Sequence, residues 1–132
     1  MVTTTGVVEV VLMVRDVEKS RAFYTDVVGL KVISPDLGGP VFLQAGDQSS
    51  GVPNQIVLIP RPSEAPPFPA ERGLRNVHHL GLEIAPGSLD ETRRELEARG
   101  LEVRTGEHPF LPVEAIYVDD PDGNEVELVA RR

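Results

Sequence analysis

The feature that most constrains the fold is an internal repeat at an offset of about 70 residues. Identical residues recur at this spacing: Leu12 and Leu82, Asn54 and Asn124, Leu58 and Leu128, Arg61 and Arg131. At an offset of 71, Gly29 aligns with Gly100, and both glycines follow a helical pattern. Because the two halves also predict the same order of elements, β-α-β-β-β, the repeat indicates a duplicated module.

Each half is predicted to contain one helix and four strands. In the first half, strands are predicted at 7–14, 30–33, 41–43 and 54–59, and Asp16 is predicted to cap a helix over 17–28. In the second half, strands are predicted at 77–84, 101–103, 113–118 and 124–130. The second helix is predicted to begin at a capping box of Ser88 and Glu91 and to end at Arg99.

These elements predict an α+β fold of two tandem βαβββ modules that form a cupped mixed β-sheet. Apolar residues alternate along the first strand of each half, so one face of each sheet is predicted to lie under a helix on the convex side. Length favours a single domain over 1–132. Its first module spans about 7–60, a connector stiffened by prolines covers 61–75, and the second module spans about 76–132.

The opposite, concave face of the sheets is predicted to be polar. Its inferred residues are Glu9, Gln55, His79, Glu83, Glu125 and Glu127. Across the repeat, Glu9 aligns with His79, and Val57 aligns with Glu127. Because a polar concave surface is typical of a ligand site rather than of a core, the substrate is expected there.

Glu9, His79 and Glu127 are the candidate metal ligands. A carboxylate held on an inward-facing strand is costly unless a positive partner meets it, and a divalent cation would be such a partner. Two carboxylates and an imidazole suit Fe, Mn, Ni, Co or Zn. Glu127 is also a candidate catalytic residue, with Glu83 or Glu125 as further groups that could carry protons.

The alternative interpretation of the same residues is a polar cavity that binds no metal. In that interpretation His79 is a hydrogen-bonded structural residue and Glu127 a solvated strand residue. We expect His78 to face the helix side of the sheet and His108 to lie at the surface.

Composition excludes several other classes of function. The formal net charge of −8 argues against binding to nucleic acid or to an anionic membrane. The chain has no cysteine, which excludes disulfides, thiolate metal sites and thiol catalysis. No apolar run approaches a membrane span, and the N-terminus lacks a signal-peptide pattern, so we expect a cytoplasmic protein.

The pattern as a whole resembles the vicinal oxygen chelate superfamily, which includes glyoxalase I, bleomycin-resistance proteins and extradiol dioxygenases. The residues that carry the resemblance are Glu9, Asp16-Val17, Ser20, Phe23-Tyr24, Gly29-Leu30, His79, Asp120-Pro121-Asp122-Gly123-Asn124 and Glu127. The resemblance covers essentially the whole chain. It implies metal-ligand positions at Glu9, Val57, His79 and Glu127, of which Val57 cannot ligate, and Gln55 could replace it only weakly.

The resemblance implies a metal-dependent isomerase, lyase or dioxygenase whose small substrate is chelated through vicinal oxygens. The alternative is a metal-free antibiotic-binding protein whose acidic cavity attracts a basic drug. The aromatic content of 5% counts against the second function, because such cavities stack planar ligands on rings. The candidate rings are Phe42, Phe68, Phe110 and Tyr117. A decayed member that serves as an interaction module is a third alternative.

The resemblance also implies a homodimer, whose cup forms within one chain or between exchanged modules. Substrate recognition would lie in the loops 34–40, 45–53 and 105–112.

Overall fold

A computed structural model describes residues 1–47 and 51–132, so part of the predicted loop 45–53 lies outside the described residues. The chain divides into two compact units, Met1–Pro66 and Pro67–Arg132. Each unit contains a four-stranded mixed sheet and one α-helix in the order β-α-β-β-β, which confirms the predicted fold class. Within the described residues, no helix is both long and apolar enough to span a membrane.

The first unit has the strand order β1-β4-β3-β2. Its elements are β1 (Glu9–Val14), α1 (Val17–Ala22), a π-helical turn (Phe23–Val27), β2 (Lys31–Val32), β3 (Val41–Gln44) and β4 (Gln55–Pro60). β1 runs parallel to β4, whereas β3 runs antiparallel to both of its neighbours. The predicted cap at Asp16 is confirmed, since its carboxylate accepts a hydrogen bond from the Lys19 amide at 3.1 Å.

The second unit repeats this arrangement with the strand order β5-β8-β7-β6. Its elements are a 3₁₀ turn (Arg72–Leu74), β5 (Leu80–Glu83), α2 (Leu89–Ala98), β6 (Arg104–Glu107), β7 (Val113–Asp119) and β8 (Glu125–Arg131). β5 runs parallel to β8, and β7 pairs antiparallel with β6 and β8. The same topology therefore arises twice from sequences that share few residues.

The alternating faces of the strands are as predicted. On β1, Leu12 and Val14 are buried, whereas Val11 and Met13 are exposed. On β8, Val126, Leu128 and Ala130 are buried on the helix side, and Glu127 is buried on the other face. α1 packs on β4 and α2 packs on β7, so each helix covers one face of its own sheet.

Two of the predicted strands begin elsewhere, and one predicted cap does not form. The strand expected at 101–103 lies at Arg104–Glu107 instead, because the Leu101 amide still donates to the Leu96 carbonyl and completes the end of α2. β5 begins at Leu80 rather than at residue 77. The Ser88 hydroxyl donates to the Ala85 carbonyl at 2.7 Å and makes no cap hydrogen bond, so the predicted capping box does not form.

The turn between β7 and β8 is organised by a buried carboxylate. Asp120 is 5% exposed, and its Oδ1 accepts hydrogen bonds from the amides of Asp122 and Asn124 at 2.9 and 2.8 Å. Its Oδ2 accepts from the Asn124 side chain at 2.9 Å. Arg75 donates to the Asp122 carbonyl at 2.9 Å and lies so close to Gly123 that a Cβ there would meet its guanidinium. The connector is thereby tied to the turn that starts β8.

Replacing Asp120 by alanine should therefore lower the free energy of unfolding by roughly 3 kcal/mol, because one buried and two part-buried donors lose a charged acceptor. Urea unfolding measures the change. Asp36→Ala is the matched control, since Asp36 accepts one exposed hydrogen bond from the Gly38 amide. Its expected cost is about 1 kcal/mol or less. Equal losses in the two variants would contradict the structural role given to Asp120.

Candidate metal centre

Glu127 lies at the middle of the second sheet, on the face opposite α2. On neighbouring strands it pairs with Gly81 of β5 and with Tyr117 of β7, and Tyr117 pairs in turn with Arg104 of β6. Paired residues on adjacent strands point to the same face, so these four positions form one row across the sheet.

The Glu127 carboxylate is buried but has partners on both oxygens. The residue is 8% exposed. The Tyr117 hydroxyl donates to Oε1 at 2.7 Å, and Oε2 lies 3.3 Å from Nε2 of His79. The His79 ring also meets the Tyr117 ring edge to face, with 5.9 Å between the centroids. His79 and Glu127, predicted to share a site, thus lie side by side in the second unit.

Two glycines make room for this arrangement. A Cβ on Gly81 would lie 3.0 Å from Oε2 of Glu127, and one on Gly106 would overlap the Tyr117 ring. Gly106 lies on the same face of the sheet as Tyr117, two residues beyond the paired Arg104. A glycine inside a strand often marks a close approach of another group. A glycine within the predicted sheet could have indicated that Tyr117 lies close to Glu127. From the sequence, Tyr117 was considered only as a ring on which a ligand could stack.

His78 lies beside His79 rather than within a strand. The expectation that it faces the helix side assumed a strand from residue 77, but the ladder of β5 begins at Leu80. His78 is exposed, and its Nδ1 lies 2.7 Å from Nδ1 of His79. Together with Glu125, the two histidines offer ligand atoms within 4.8 Å of one another. The described residues therefore contain two overlapping candidate ligand sets around His79.

Glu125 is held by two arginines. Arg72 Nη1 and Arg104 Nη2 lie 3.1 and 3.3 Å from its Oε2. The same arginines bind Asp119 at 2.8 and 2.7 Å, and the hydrogen bond to Asp119 raises the pKa of Arg72. The two carboxylates and the two guanidinium groups have no net charge between them. A cation near Glu125 would therefore meet two positively charged groups. No guanidinium group lies among the described contacts of Glu127, so a cation bound there would not meet an arginine.

The other predicted site residues have different surroundings. Glu83 is exposed, and its carboxylate binds Arg131 Nε at 2.9 Å. Glu9 belongs to the first unit, is exposed, and accepts a hydrogen bond from Gln55 Nε2 at 2.6 Å. The structure therefore leaves the proposed ligation by Glu9 as a prediction.

The first sheet carries an apolar counterpart of the Glu127 row. Val57 of β4 pairs with Val11 of β1 and with Phe42 of β3. Val57 is 2% exposed. The duplicated modules have thus diverged at this row: the second unit keeps a carboxylate and a phenol where the first has a valine and a phenylalanine.

The distance between His79 and Glu127 fits a shared metal ion. Two ligand atoms that each lie about 2.1 Å from one ion, at an angle of roughly 90–110°, are about 3.0–3.4 Å apart. The observed separation of Nε2 and Oε2 is 3.3 Å. Tyr117 holds Oε1, as outer hydrogen-bond partners of metal-binding carboxylates commonly do. The 2.7 Å between the two histidine Nδ1 atoms is shorter than this range and corresponds to a hydrogen bond.

Burial, and then the hydrogen bond to Glu127, raise the pKa of Tyr117 to about 12. An unfolded tyrosine has a pKa of about 10. The stabilisation linked to this raised pKa is therefore complete below about pH 10 and is lost as the pH rises toward 12. In metal-free protein, the stability difference between wild type and Tyr117→Phe should shrink over that interval. A pH-independent difference would contradict the raised pKa.

Comparisons with known proteins identify the family of the chain. The model of a family described as the Glyoxalase/Bleomycin resistance protein/Dioxygenase superfamily matches residues 6–128. A catechol-2,3-dioxygenase of Bacillus subtilis (strain 168) is 30% identical over 122 residues, which are 92% of this chain and 40% of that protein. The chain thus spans less than half the length of this curated relative.

Solved structures show the same fold. A glyoxalase/dioxygenase from Nostoc punctiforme has a TM-score of 0.73 at 20% identity and covers 100% of this chain and 99% of its own. A mutant of the genomically encoded fosfomycin resistance protein of Listeria monocytogenes has a TM-score of 0.66 at 21% identity, with coverage of 98% and 93%. That protein was crystallised with Mn(II) and 1S,2S-dihydroxypropylphosphonic acid.

Proposed function

Because the chain belongs to the Glyoxalase/Bleomycin resistance protein/Dioxygenase superfamily, we propose that it is a metal-dependent enzyme acting on a small substrate chelated through vicinal oxygens. The reaction would be of the isomerase, lyase or dioxygenase type. One observation carries the proposal: His79 Nε2 and Oε2 of the buried Glu127 lie 3.3 Å apart, a separation suited to two ligands of one ion.

The proposed ligands are His79 and Glu127 of the second unit, with Glu9 of the first unit as the predicted third. Val57 stands where the family pattern has a fourth ligand, so additional coordination positions would be available to water and substrate. Fe, Mn, Co, Ni and Zn all suit this nitrogen and oxygen donor set. When bound, such an ion supplies Lewis-acid polarisation of substrate oxygens.

Several residues of this chain would support that chemistry directly. Tyr117 fixes the orientation of Glu127 through Oε1 and leaves Oε2 toward His79. Glu127, Glu83 and Glu125 are the proposed proton-transfer groups. Of these, Glu83 has a side chain that is 60% exposed, whereas Glu125 is bound by two arginines. Glu83 is therefore better placed to exchange protons with solvent.

The alternative is a metal-free protein that binds an antibiotic or another small molecule. Two observations favour it. Without an ion, the Tyr117 hydroxyl donates to Oε1 of Glu127 and Nε2 of His79 lies 3.3 Å from Oε2. The Phe42–Val57–Val11 row of the first unit is apolar. A homodimer and a cytoplasmic location remain predictions from the sequence and the family resemblance.

Glu127→Gln separates the two functions and tests the ligand set. The amide keeps an acceptor for Tyr117 but is a poor metal ligand, so Zn(II) or Mn(II) affinity should fall by at least about 100-fold, more than the loss of an outer partner causes. Calorimetric titration of chelator-treated protein measures the affinity and the expected single ion per chain.

The matched control is Glu125→Gln, which removes a carboxylate from the same strand. Its metal affinity should stay within about tenfold of wild type, the lower end of the cost of losing an outer partner, because the Glu125 carboxylate is already bound by Arg72 and Arg104. Loss of binding in Glu125→Gln with retention in Glu127→Gln would refute the ligand assignment. Tight uptake of a basic antibiotic by metal-free wild type, with no metal binding, would support the alternative function.

A further inference from the structure

The contact between His78 and His79 requires a proton between their two Nδ1 atoms. Their Nδ1 atoms are 2.7 Å apart and their rings meet edge to face, with 5.0 Å between the centroids. In a neutral imidazole one nitrogen carries a proton and the other a lone pair. Two lone pairs at 2.7 Å would repel each other, so one Nδ1 must donate to the other. The tautomers of the two rings are therefore coupled.

The coupling matters because the two nitrogens of His79 face different groups. Nε2 faces Glu127 and Nδ1 faces His78. If Nε2 gives its lone pair to a metal ion, a neutral His79 must carry its proton on Nδ1. That proton then needs an acceptor, and metal-bound histidines commonly find one in a carboxylate, a carbonyl or water. Here the group at hydrogen-bonding distance is Nδ1 of His78.

We propose that His78 is a positioning residue that accepts the Nδ1 proton of His79 and so holds His79 in the tautomer whose Nε2 can bind a metal ion. This inference rests on the proposed function. In the metal-free protein the hydrogen bond runs the other way when the proton of His79 is on Nε2, the nitrogen that lies 3.3 Å from the Glu127 carboxylate.

The exchange between the two states balances in protons. On metal binding, His79 releases the Nε2 proton to solvent and takes the Nδ1 proton of His78. His78, which is exposed, takes a proton from solvent on its own Nε2. The exchange releases no net proton. His78 is not itself a ligand in this scheme, because its Nδ1 is already bound to the nitrogen of His79 that faces away from Glu127.

The test compares His78→Ala with His78→Asn in chelator-treated protein titrated with Zn(II). Alanine removes the acceptor, so affinity should fall by about 10–100-fold, the usual cost of losing an outer partner. Asparagine places an amide oxygen near the position of Nδ1 and should restore most of that loss. His108→Ala is the control, since His108 Nδ1 accepts from the Phe110 and Leu111 amides instead, and its affinity should equal that of wild type.

A second measurement reports the tautomer directly. In ¹⁵N-histidine spectra of the Zn(II)-bound wild type, His79 should show a protonated Nδ1 whose proton exchanges with water more slowly than in His78→Ala. An unprotonated Nδ1 in the Zn(II)-bound wild type, unchanged affinity in His78→Ala, or complete loss of binding in both His78 variants would overturn the inference. Failure of the wild type to bind Zn(II) at all would overturn the proposed metal site as well, which distinguishes the two failures.

Discussion

The buried carboxylate of Glu127 is the constraint on which the polar face of the second sheet depends. Removing an ionised group from water is costly unless charge and hydrogen bonds compensate it. Here the Tyr117 hydroxyl takes one oxygen and His79 faces the other. Gly81 and Gly106 leave the space that the carboxylate and the phenol ring occupy. Small, aromatic and ionisable residues on four strands therefore depend on one another, and a change at any of them exposes the carboxylate or strains its neighbours.

The two units share their topology but differ in the side chains of one row across the sheet. Both units have the same element order and the same strand order. Yet the row that holds Tyr117 and Glu127 in the second unit is Phe42 and Val57 in the first. The first row needs no compensating partners because it carries no polar side-chain atoms. Among the described residues, this buried carboxylate and its phenol partner are thus found on one copy of a module whose strand order is the same in both copies.

Much of this arrangement could be predicted from the sequence, because strand alternation and the repeat are local or periodic signals. The burial of Leu12 and Val126 and the inward position of Glu127 followed from them. The position of β6 could not be predicted in this way, since the end of α2 extends to Leu101 through a hydrogen bond that depends on backbone conformation. His78 was misjudged because the residues just before a strand do not follow its alternation. The clamp of Arg72 and Arg104 on Glu125 joins residues far apart in sequence, and no periodic pattern reports such contacts.

Under the proposed function, the chemistry of the site depends on whether Glu127 or Glu125 is the carboxylate that binds the metal ion. Glu127 offers a free direction on Oε2 beside His79, whereas Glu125 is committed to two guanidinium groups. The most direct measurement is an anomalous difference map from crystals of metal-loaded protein, recorded at the absorption edge of the ion. The account predicts one peak about 2.0–2.2 Å from both His79 Nε2 and Glu127 Oε2. A peak between His78 Nδ1 and Glu125, or no peak in fully loaded crystals, would contradict it.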